Sequence, residues 1–264
     1  MSSLLIPRRR LLEMLAGSVG GLLVEGCDRL GQSPALGTWF DRTEDLTLRA
    51  QRALIGHGAL AREYMAADVS AVFRSNGTSE PTDPGYQRLL AGGFEQWRLT
   101  VGGLVDRPAS YSLAELRSFP ARTQITRHDC VEGWSAIAAW TGVPLSIILR
   151  ASRLQPGARY IVFYCADTLD RAPGNGDDPE TGRYYESIDL IDAFHAQTIL
   201  AYSLNGHPLP VANGAPLRLR VERQLGYKHA KYLMRVLVTD RIDAIRAGKG
   251  GFWEDRGYEW YAGI

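Results

Sequence analysis

The sequence predicts an α+β domain built from mixed β-sheets with flanking helices, and three observations predict it. Tyr160-Ile161-Val162-Phe163-Tyr164-Cys165 is a continuous apolar run of strand length, the pattern of a central strand. Trp97, Leu99 and Val101 alternate with Arg98 and Thr100, and Leu217, Leu219 and Val221 alternate with Arg218 and Arg220, the period-two signature of strands with two unlike faces. Helical spacing is confined to a stretch near the N-terminus and to short runs between the strands.

The bulk properties set limits before any motif is considered. A chain of 264 residues, 45% hydrophobic and 22% charged, is long enough to bury a core without staples. Thirty Lys and Arg against 29 Asp and Glu give a formal net charge of +1, and no long basic run lies outside the N-terminus, so nucleic acid is excluded as a partner. The three cysteines, Cys27, Cys130 and Cys165, form no Cys-x-x-Cys pair and no Cys-x-x-Cys-His haem attachment. No haem is therefore expected within the chain, and Cys130 and Cys165 are expected to be free thiols.

Residues 1–30 read as an export leader. Pro7-Arg8-Arg9-Arg10 precedes a mildly apolar, glycine-containing stretch and resembles a twin-arginine signal, the alternative being a basic N-terminal helix. The export machinery that reads such signals is then a partner, and the location is periplasmic or exported. Val24-Glu25-Gly26-Cys27 resembles a lipoprotein box, which makes Cys27 a candidate lipid anchor despite Glu25. Residues 31–70 form a helical N-terminal segment, with Leu46, Leu48, Ala53, Leu54, Leu60, Tyr64 and Met65 at helical spacing and His57 in a turn between two glycines. Residues 71–264 form the main domain.

Within that domain Ala71–Thr78 ends in an Asn-Gly turn that leaves Arg74 and backbone donors at a loop mouth. Phe94–Val105 reads as a strand, and Ser112 with Glu115 makes a capping box for a short helix. Thr123–Thr126 is a strand feeding the loop at Cys130; Trp140 and Pro144–Leu149 suggest a helix with Pro144 in its first turn. Asp167 lies just past the Tyr160–Cys165 strand, and residues 171–183 form a polar loop that lacks calcium-loop spacing. Ser187–Gln197 looks helical, and Ile199–Leu204 with Asn205-Gly206 is a strand and hairpin turn. Arg218, Lys228, His229 and Lys231 make a basic, glycine-flanked loop suited to a phosphate. The aromatic tail Phe252–Tyr261 is expected to pack across a pocket.

Chemistry concentrates at Arg127-His128-Asp129-Cys130-Val131-Glu132-Gly133-Trp134-Ser135. Cys130 sits at a strand-to-loop exit, where a sulfur can be presented to something bound, and Arg127 and His128 are expected to favour its thiolate. Taken alone, Cys130 could equally be a buried small hydrophobe.

Three blocks occur in one order: Cys130-Val131-Glu132-Gly133-Trp134-Ser135 with Trp140-x-Gly142-x-Pro144-Leu145, then Asn213-Gly214-Ala215-Pro216-x-Arg218, then Gly226-Tyr227-Lys228-His229-Ala230-Lys231-Tyr232-Leu233. Together they resemble the sulfite-oxidase superfamily of molybdopterin enzymes, over roughly Val72 to the C-terminus. The Cys-Val-Glu-x-Trp-Ser form looks most like the bacterial exported single-domain members, among them the catalytic subunits of periplasmic methionine sulfoxide reductases. The resemblance implies the sulfite-oxidase-type molybdopterin-binding fold and one molybdenum held as Mo-molybdopterin, with Cys130 as its thiolate ligand. By matching position it implies that Phe73, Arg74, Ser75, Asn76, Asp167, Asn213, Arg218, His229, Ala230 and Lys231 meet the cofactor. It also makes Arg74 the cation facing the metal side, and Tyr258, in Trp253-x-x-Arg256-x-Tyr258, the group that orients substrate or relays a proton.

The implied activity is two-electron oxygen-atom transfer on a small S- or N-oxide or oxyanion substrate, with electrons exchanged with an external cytochrome or membrane redox subunit. Animal and plant sulfite oxidases carry an arginine after the ligand cysteine that helps hold sulfite, whereas Glu132-Gly133-Trp134-Ser135 stands here. The point at which the chain stops implies neither their C-terminal immunoglobulin-like domain nor a haem domain. Two rival classes follow from the residues alone: a thiol enzyme with Cys130 as nucleophile and His128 as base, and a non-catalytic anion-binding module using the Arg218–Lys231 cluster.

Overall fold

The computed structural model describes residues 34–169 and 182–264. The leader, Cys27 and most of the 171–183 loop lie outside the described residues. No helix among the described residues is long and apolar enough to cross a membrane.

Helix α1, Pro34–Ile55, stands as a unit by itself, and the compact domain runs from Ile55 to Ile264. The expected helix to residue 70 stops at Gly56, whose φ of +68° breaks the repeat. Beyond it the chain is extended along the domain: Glu63 bridges Thr126, the Tyr64 amide donates to the Ile125 carbonyl at 2.9 Å, and the Ser70 amide donates to the Ile137 carbonyl at 2.9 Å. Tyr64 and Met65 therefore only mimicked helical spacing.

Among the described residues ten strands form two five-stranded sheets. The first contains β1 (Arg98–Gly103), β2 (Ala109–Ser112), β5 (Tyr160–Thr168), β6 (Arg183–Asp189) and β10 (Leu233–Thr239), in the order β2-β1-β10-β5-β6. Only the β1–β10 pairing is parallel, with Thr100 opposite Arg235; the remainder is antiparallel, so the sheet is mixed. The second sheet runs β3 (Arg122–Asp129), β4 (Ser135–Pro144), β7 (Thr198–Leu204) and β8 (His207–Pro208), with β9 (Arg218–Val221) also pairing with β7. Short helices flank the sheets: α2 (Pro84–Ala91), α3 (Leu113–Ser118), α4 (Leu145–Ser152) and α5 (Leu190–Ala193).

The elements follow from local chemistry. Asp83 caps α2 by accepting from the Tyr86 amide, and Pro84 opens its first turn. Ser112 and Glu115 form the expected reciprocal capping box of α3. Trp97, Leu99 and Val101 are all buried, and the Trp97 indole N–H is satisfied by the Leu233 carbonyl at 3.1 Å. The central apolar run is β5, flanked by β10 and β6.

Four boundaries differ from expectation. Phe94 turns the chain with φ +61°, so β1 begins at Arg98. Trp140 belongs to β4, and Pro144 is the N-cap of α4. Asp167 falls inside β5, past a register irregularity between Tyr164 and Thr168. Ser187–Asp189 completes β6, leaving only α5 and a turn of the expected helix: Tyr184–Ile188 is buried on both faces, and a doubly buried strand shows no alternation to identify it.

Gly142 sits at a register irregularity between β4 and β7, where a Cβ would lie 2.2 Å from the Leu200 carbonyl oxygen. Only glycine lets the two backbones approach this closely. Gly142→Ala is expected to cost about 1–3 kcal/mol by overpacking, read from urea unfolding; an unchanged midpoint would mean the β4–β7 contact yields freely.

Candidate active site

The β3–β4 connection carries Cys130. Its five-residue loop closes on itself: the Cys130 amide donates to the Trp134 carbonyl at 2.9 Å and the Gly133 amide donates to the Cys130 carbonyl at 3.0 Å. Gly133 takes φ +85°, which a side chain would resist. Asp129 braces the base of the loop, pairing with Arg127 at 2.9 Å and accepting from the Ser135 hydroxyl at 2.5 Å.

Cys130 opens onto a cavity of about 150 Å³. Asn76, Asp167, His229, Lys231 and Tyr258 line the same cavity, so segments far apart in the chain converge as expected. The aromatic tail closes one side: Trp253 stacks on Tyr258 at 5.3 Å, and Tyr258 meets Tyr227 edge-on at 5.3 Å.

Phe73, Arg74, Ser75, Asn213, Arg218 and Ala230, also expected to meet the cofactor, do not line this cavity. Phe73 packs edge-on against Trp140 at 5.0 Å and is tilted against His128 at 5.6 Å. The Arg74 guanidinium lies 5.9 Å from the Trp134 ring centre. The Ser75 hydroxyl donates to the Ala212 carbonyl at 2.6 Å. Ala230 is buried, its carbonyl accepting from the Leu219 amide at 2.8 Å.

Arg218 is fully buried and does not line the cavity. It donates to the Asn213 carbonyl at 3.0 Å and the His229 carbonyl at 3.1 Å, holding both cofactor-facing loops from behind. Burial, and then neighbouring Arg220, lowers its pKa to about 9. Lys228, expected in the phosphate loop, turns away and is buried between Glu186 and Glu254.

The cationic activation expected for Cys130 is also corrected. Arg127 is spent on Asp129. His128 is buried, and burial reinforced by Arg220, Arg218 and Lys231 pushes its pKa well down, so the ring is neutral. Arg220 donates to His128 Nδ1 at 2.9 Å, and since Arg cannot accept, the imidazole proton sits on Nε2. Burial raises the Cys130 thiol above its ordinary value. A thiol with a raised pKa and no free base beside it is a poor nucleophile, so the thiol-enzyme alternative loses its support.

Asp167 and Lys231 shift toward each other's range. Burial raises the Asp167 carboxyl to about 6, opposed by Lys231. Burial and Arg218 lower Lys231 to about 7, opposed by Asp167. Lys231 Nζ donates to the carbonyls of Asn76 at 2.6 Å, Thr78, and Ala212 at 3.1 Å, which ties the 76–78 turn to the Asn213 loop.

Several polar atoms lining this cavity are buried with no partner among the described residues: Asn76 Oδ1, Asp167 Oδ1 and His229 Nδ1; Nδ2 of Asn213, outside the lining, is likewise buried without one. His229 Nε2 donates to the Gln224 carbonyl at 3.0 Å, so Nδ1 of the neutral ring is an acceptor. The three acceptors left unpaired at the cavity, on Asn76, Asp167 and His229, match the edge of a heterocycle rich in ring and exocyclic N–H groups. The positive field of Lys231 and Arg218 behind them suits a phosphate, and a single soft thiolate suits molybdenum. The residues therefore fit a molybdenum-bearing pterin.

Sequence inspection missed Thr78, Val131, Glu132, Leu169 and Tyr184 as cavity residues. Glu132 and Thr78 adjoin residues that were named, and adjacency was the signal. Tyr184 had none, because it reaches the cavity from the edge strand of the other sheet.

Comparison with known proteins agrees with the geometry. Residues 89–244 match the family described as the oxidoreductase molybdopterin binding domain. A chain of Azospira oryzae that carries the name protein-methionine-sulfoxide reductase subunit YedZ1 is 41% identical over 167 residues, 63% of this chain and 56% of its own. The protein-methionine-sulfoxide reductase catalytic subunit MsrP of Xanthomonas axonopodis pv. citri is 32% identical over 238 residues, 89% of this chain and 70% of its own. Among solved structures, the sulfane dehydrogenase SoxCD of Paracoccus pantotrophus aligns at TM-score 0.48 and 21% identity, over 57% of this chain and 40% of that one. With more than half of its length matched, and with Cys130 and the unpaired polar atoms gathered at one cavity, this chain belongs to the molybdopterin-binding oxidoreductases.

Proposed function

We propose that the chain is the molybdenum-bearing subunit of an exported reductase that removes oxygen from sulfoxide sulfur, with peptide-bound methionine sulfoxide as its substrate. The observation that carries this is the lining around Cys130. Glu132, not a cation, follows Val131, and Leu169, Tyr184, Tyr227, Trp253 and Tyr258 supply apolar and aromatic walls. A carboxylate beside the metal ligand disfavours an oxyanion such as sulfite, whereas aromatic faces favour a neutral sulfur group. The names carried by the relatives point the same way.

When bound, the molybdenum supplies the oxygen-atom exchange, for which the balance is sulfoxide + 2 e⁻ + 2 H⁺ → thioether + H₂O. This chain's own residues do the rest. Cys130 Sγ would hold the metal, and Asn76, Asp167, Asn213 and His229 the pterin edge, while Lys231 ties the 76–78 turn to the Asn213 loop beneath them. Tyr258, partly exposed at the mouth and fixed between Trp253 and Tyr227, offers its hydroxyl to the sulfoxide oxygen. Arg74, over the Trp134 ring and outside the cavity lining, adds positive charge on the Cys130 loop side. Electrons come from a cytochrome or a membrane subunit.

The test is elemental analysis of protein from a cofactor-competent host, followed by turnover of sulfoxides with an artificial one-electron donor and of sulfite with an artificial one-electron acceptor. We expect one molybdenum per chain and faster reduction of peptide methionine sulfoxide than oxidation of sulfite. A molybdenum-loaded protein that oxidises sulfite and ignores sulfoxides would sink the substrate assignment. A well-folded protein without molybdenum would sink the cofactor.

A further inference from the structure

Behind the cavity wall lies an ionic cluster that the proposed chemistry does not use. Lys228 Nζ donates to Glu186 Oε1 and, at 2.6 Å, to Glu254 Oε1, and all three side chains are at most 1% exposed. The second oxygen of each carboxyl, Glu186 Oε2 and Glu254 Oε2, has no partner. The two carboxyls converge on Gly251, where a Cβ would lie 1.9 Å from Glu254 Oε2 and 2.9 Å from Glu186 Oε1.

Each member is covalently next to, or two residues from, a cavity residue on a different segment. Glu186 follows Tyr184 by two positions on β6, Lys228 lies between Tyr227 and His229, and Glu254 follows Trp253, which stacks on Tyr258. One ammonium thus ties together the three segments that form the aromatic side of the cavity.

We propose that Lys228 is a positioning residue that latches the tail bearing Trp253 and Tyr258 against the cavity by gripping Glu186 and Glu254, and that the latched state needs one proton shared between the two carboxyls.

The charge balance requires that proton. One ammonium and two carboxylates sum to a net charge of −1 in a site closed to water, and one added proton makes the cluster neutral. Among the described residues no ion pair to Glu186 or Glu254 other than that of Lys228 is formed. Glu186 also accepts from the Ser187 amide at 2.7 Å, and the titratable groups close enough to interact with the two carboxyls from β5 and β6 are the Cys165 thiol and the Tyr184 and Tyr185 hydroxyls. Burial, then Glu254, push the Glu186 carboxyl well above its ordinary value, against the pull of Lys228. A carboxyl whose pKa is raised in the closed state favours closure below its ordinary range and loses that contribution as pH rises through the raised value. The latch therefore loosens with rising pH. Glu254→Gln removes the need for the proton: the amide keeps an acceptor for Lys228 and offers a donor to Glu186 Oε2.

The test is hydrogen exchange of the full chain, following the amides of residues 252–258 after correction for intrinsic rates. Their bonds include the Phe252 amide to the Tyr185 carbonyl and the Tyr258 amide to the Trp253 carbonyl, both at 3.0 Å. In the wild type, protection should fall with rising pH by up to about tenfold per unit, the limit for one released proton. Glu254→Gln should flatten that slope, and Lys228→Met should abolish protection of 252–258 at neutral pH while β10 stays protected. A wild type with no slope, a Glu254→Gln variant that keeps the slope, or a Lys228→Met variant with an intact tail would each overturn the proposal. If Lys228→Met fails to fold, the slope in Glu254→Gln decides it.

Discussion

Cys130→Ala folds normally and loses more than about 100-fold in turnover, since even outer-shell partners of a bound metal contribute about 10–100-fold and this residue is the proposed ligand itself. The fold should survive because the change is small where it stands. Cys130 has a single buried sulfur, and its loop is closed by backbone bonds to Trp134 and Gly133 that alanine keeps. Burial keeps the metal-free group as a neutral thiol, so alanine leaves no buried charge unpaired. Thermal unfolding, molybdenum content and turnover of the same preparation separate the effects. A folded alanine variant with full turnover would show that the sulfur is not the ligand.

Arg220→Met unfolds the domain more readily by about 3–5 kcal/mol, the usual cost of orphaning one member of a buried ion pair. Arg220 and Glu222 are both fully buried and pair at 2.6 Å. The same guanidinium donates to His128 Nδ1 and lies 4.4 Å from the Trp140 ring centre. Its loss leaves Glu222 with only the Gln124 amide as donor, at 2.8 Å, and frees the ring that packs against Phe73, Trp134 and His229. At about 2–4 °C per kcal/mol for a domain of this size, the melting temperature should drop by about 6–20 °C. Arg220→Met with Glu222→Leu should recover much of the loss, because no buried charge is then left over. A single variant that melts like the wild type would mean that Glu222 finds water or another donor.

Residues at turns were the legible part of the site. Cys130, Asn76, His229 and Lys231 were all named from glycine-marked loops, and all meet at the cavity. Glycine and proline punctuation locates chain reversals, and in layered sheets the reversals at one end lie together. Burial was not legible. Alternation in Leu217–Val221 shows that β9 has two faces, but not that both are covered. Arg218 and Arg220 lie 4.9 Å and 4.4 Å from the Trp140 ring centre, inside the protein, on the face that alternation marks only as unlike the apolar one. Lys228 was grouped with His229 and Lys231 by proximity in sequence. The 3₁₀ turn Gly226–Lys228 ends at it and sends its side chain to the opposite side from Lys231. The helix expected at Ser187–Gln197 failed for the same reason, since β6 is covered on both faces.

The parallel pairing of β1 with β10 has a consequence for the order of events in the cell. Thr100 finds its neighbour Arg235 only once the segments between them have been made, and the same is true of a cavity that needs both Asn76 and Tyr258. Local hairpins such as β3–β4 can form while the ribosome is still at work, but the closure entropy of so long a loop must be met before the first sheet exists. The first sheet and the wall opposite Cys130 are therefore completed late, after local hairpins such as β3–β4 have set the loop of Cys130.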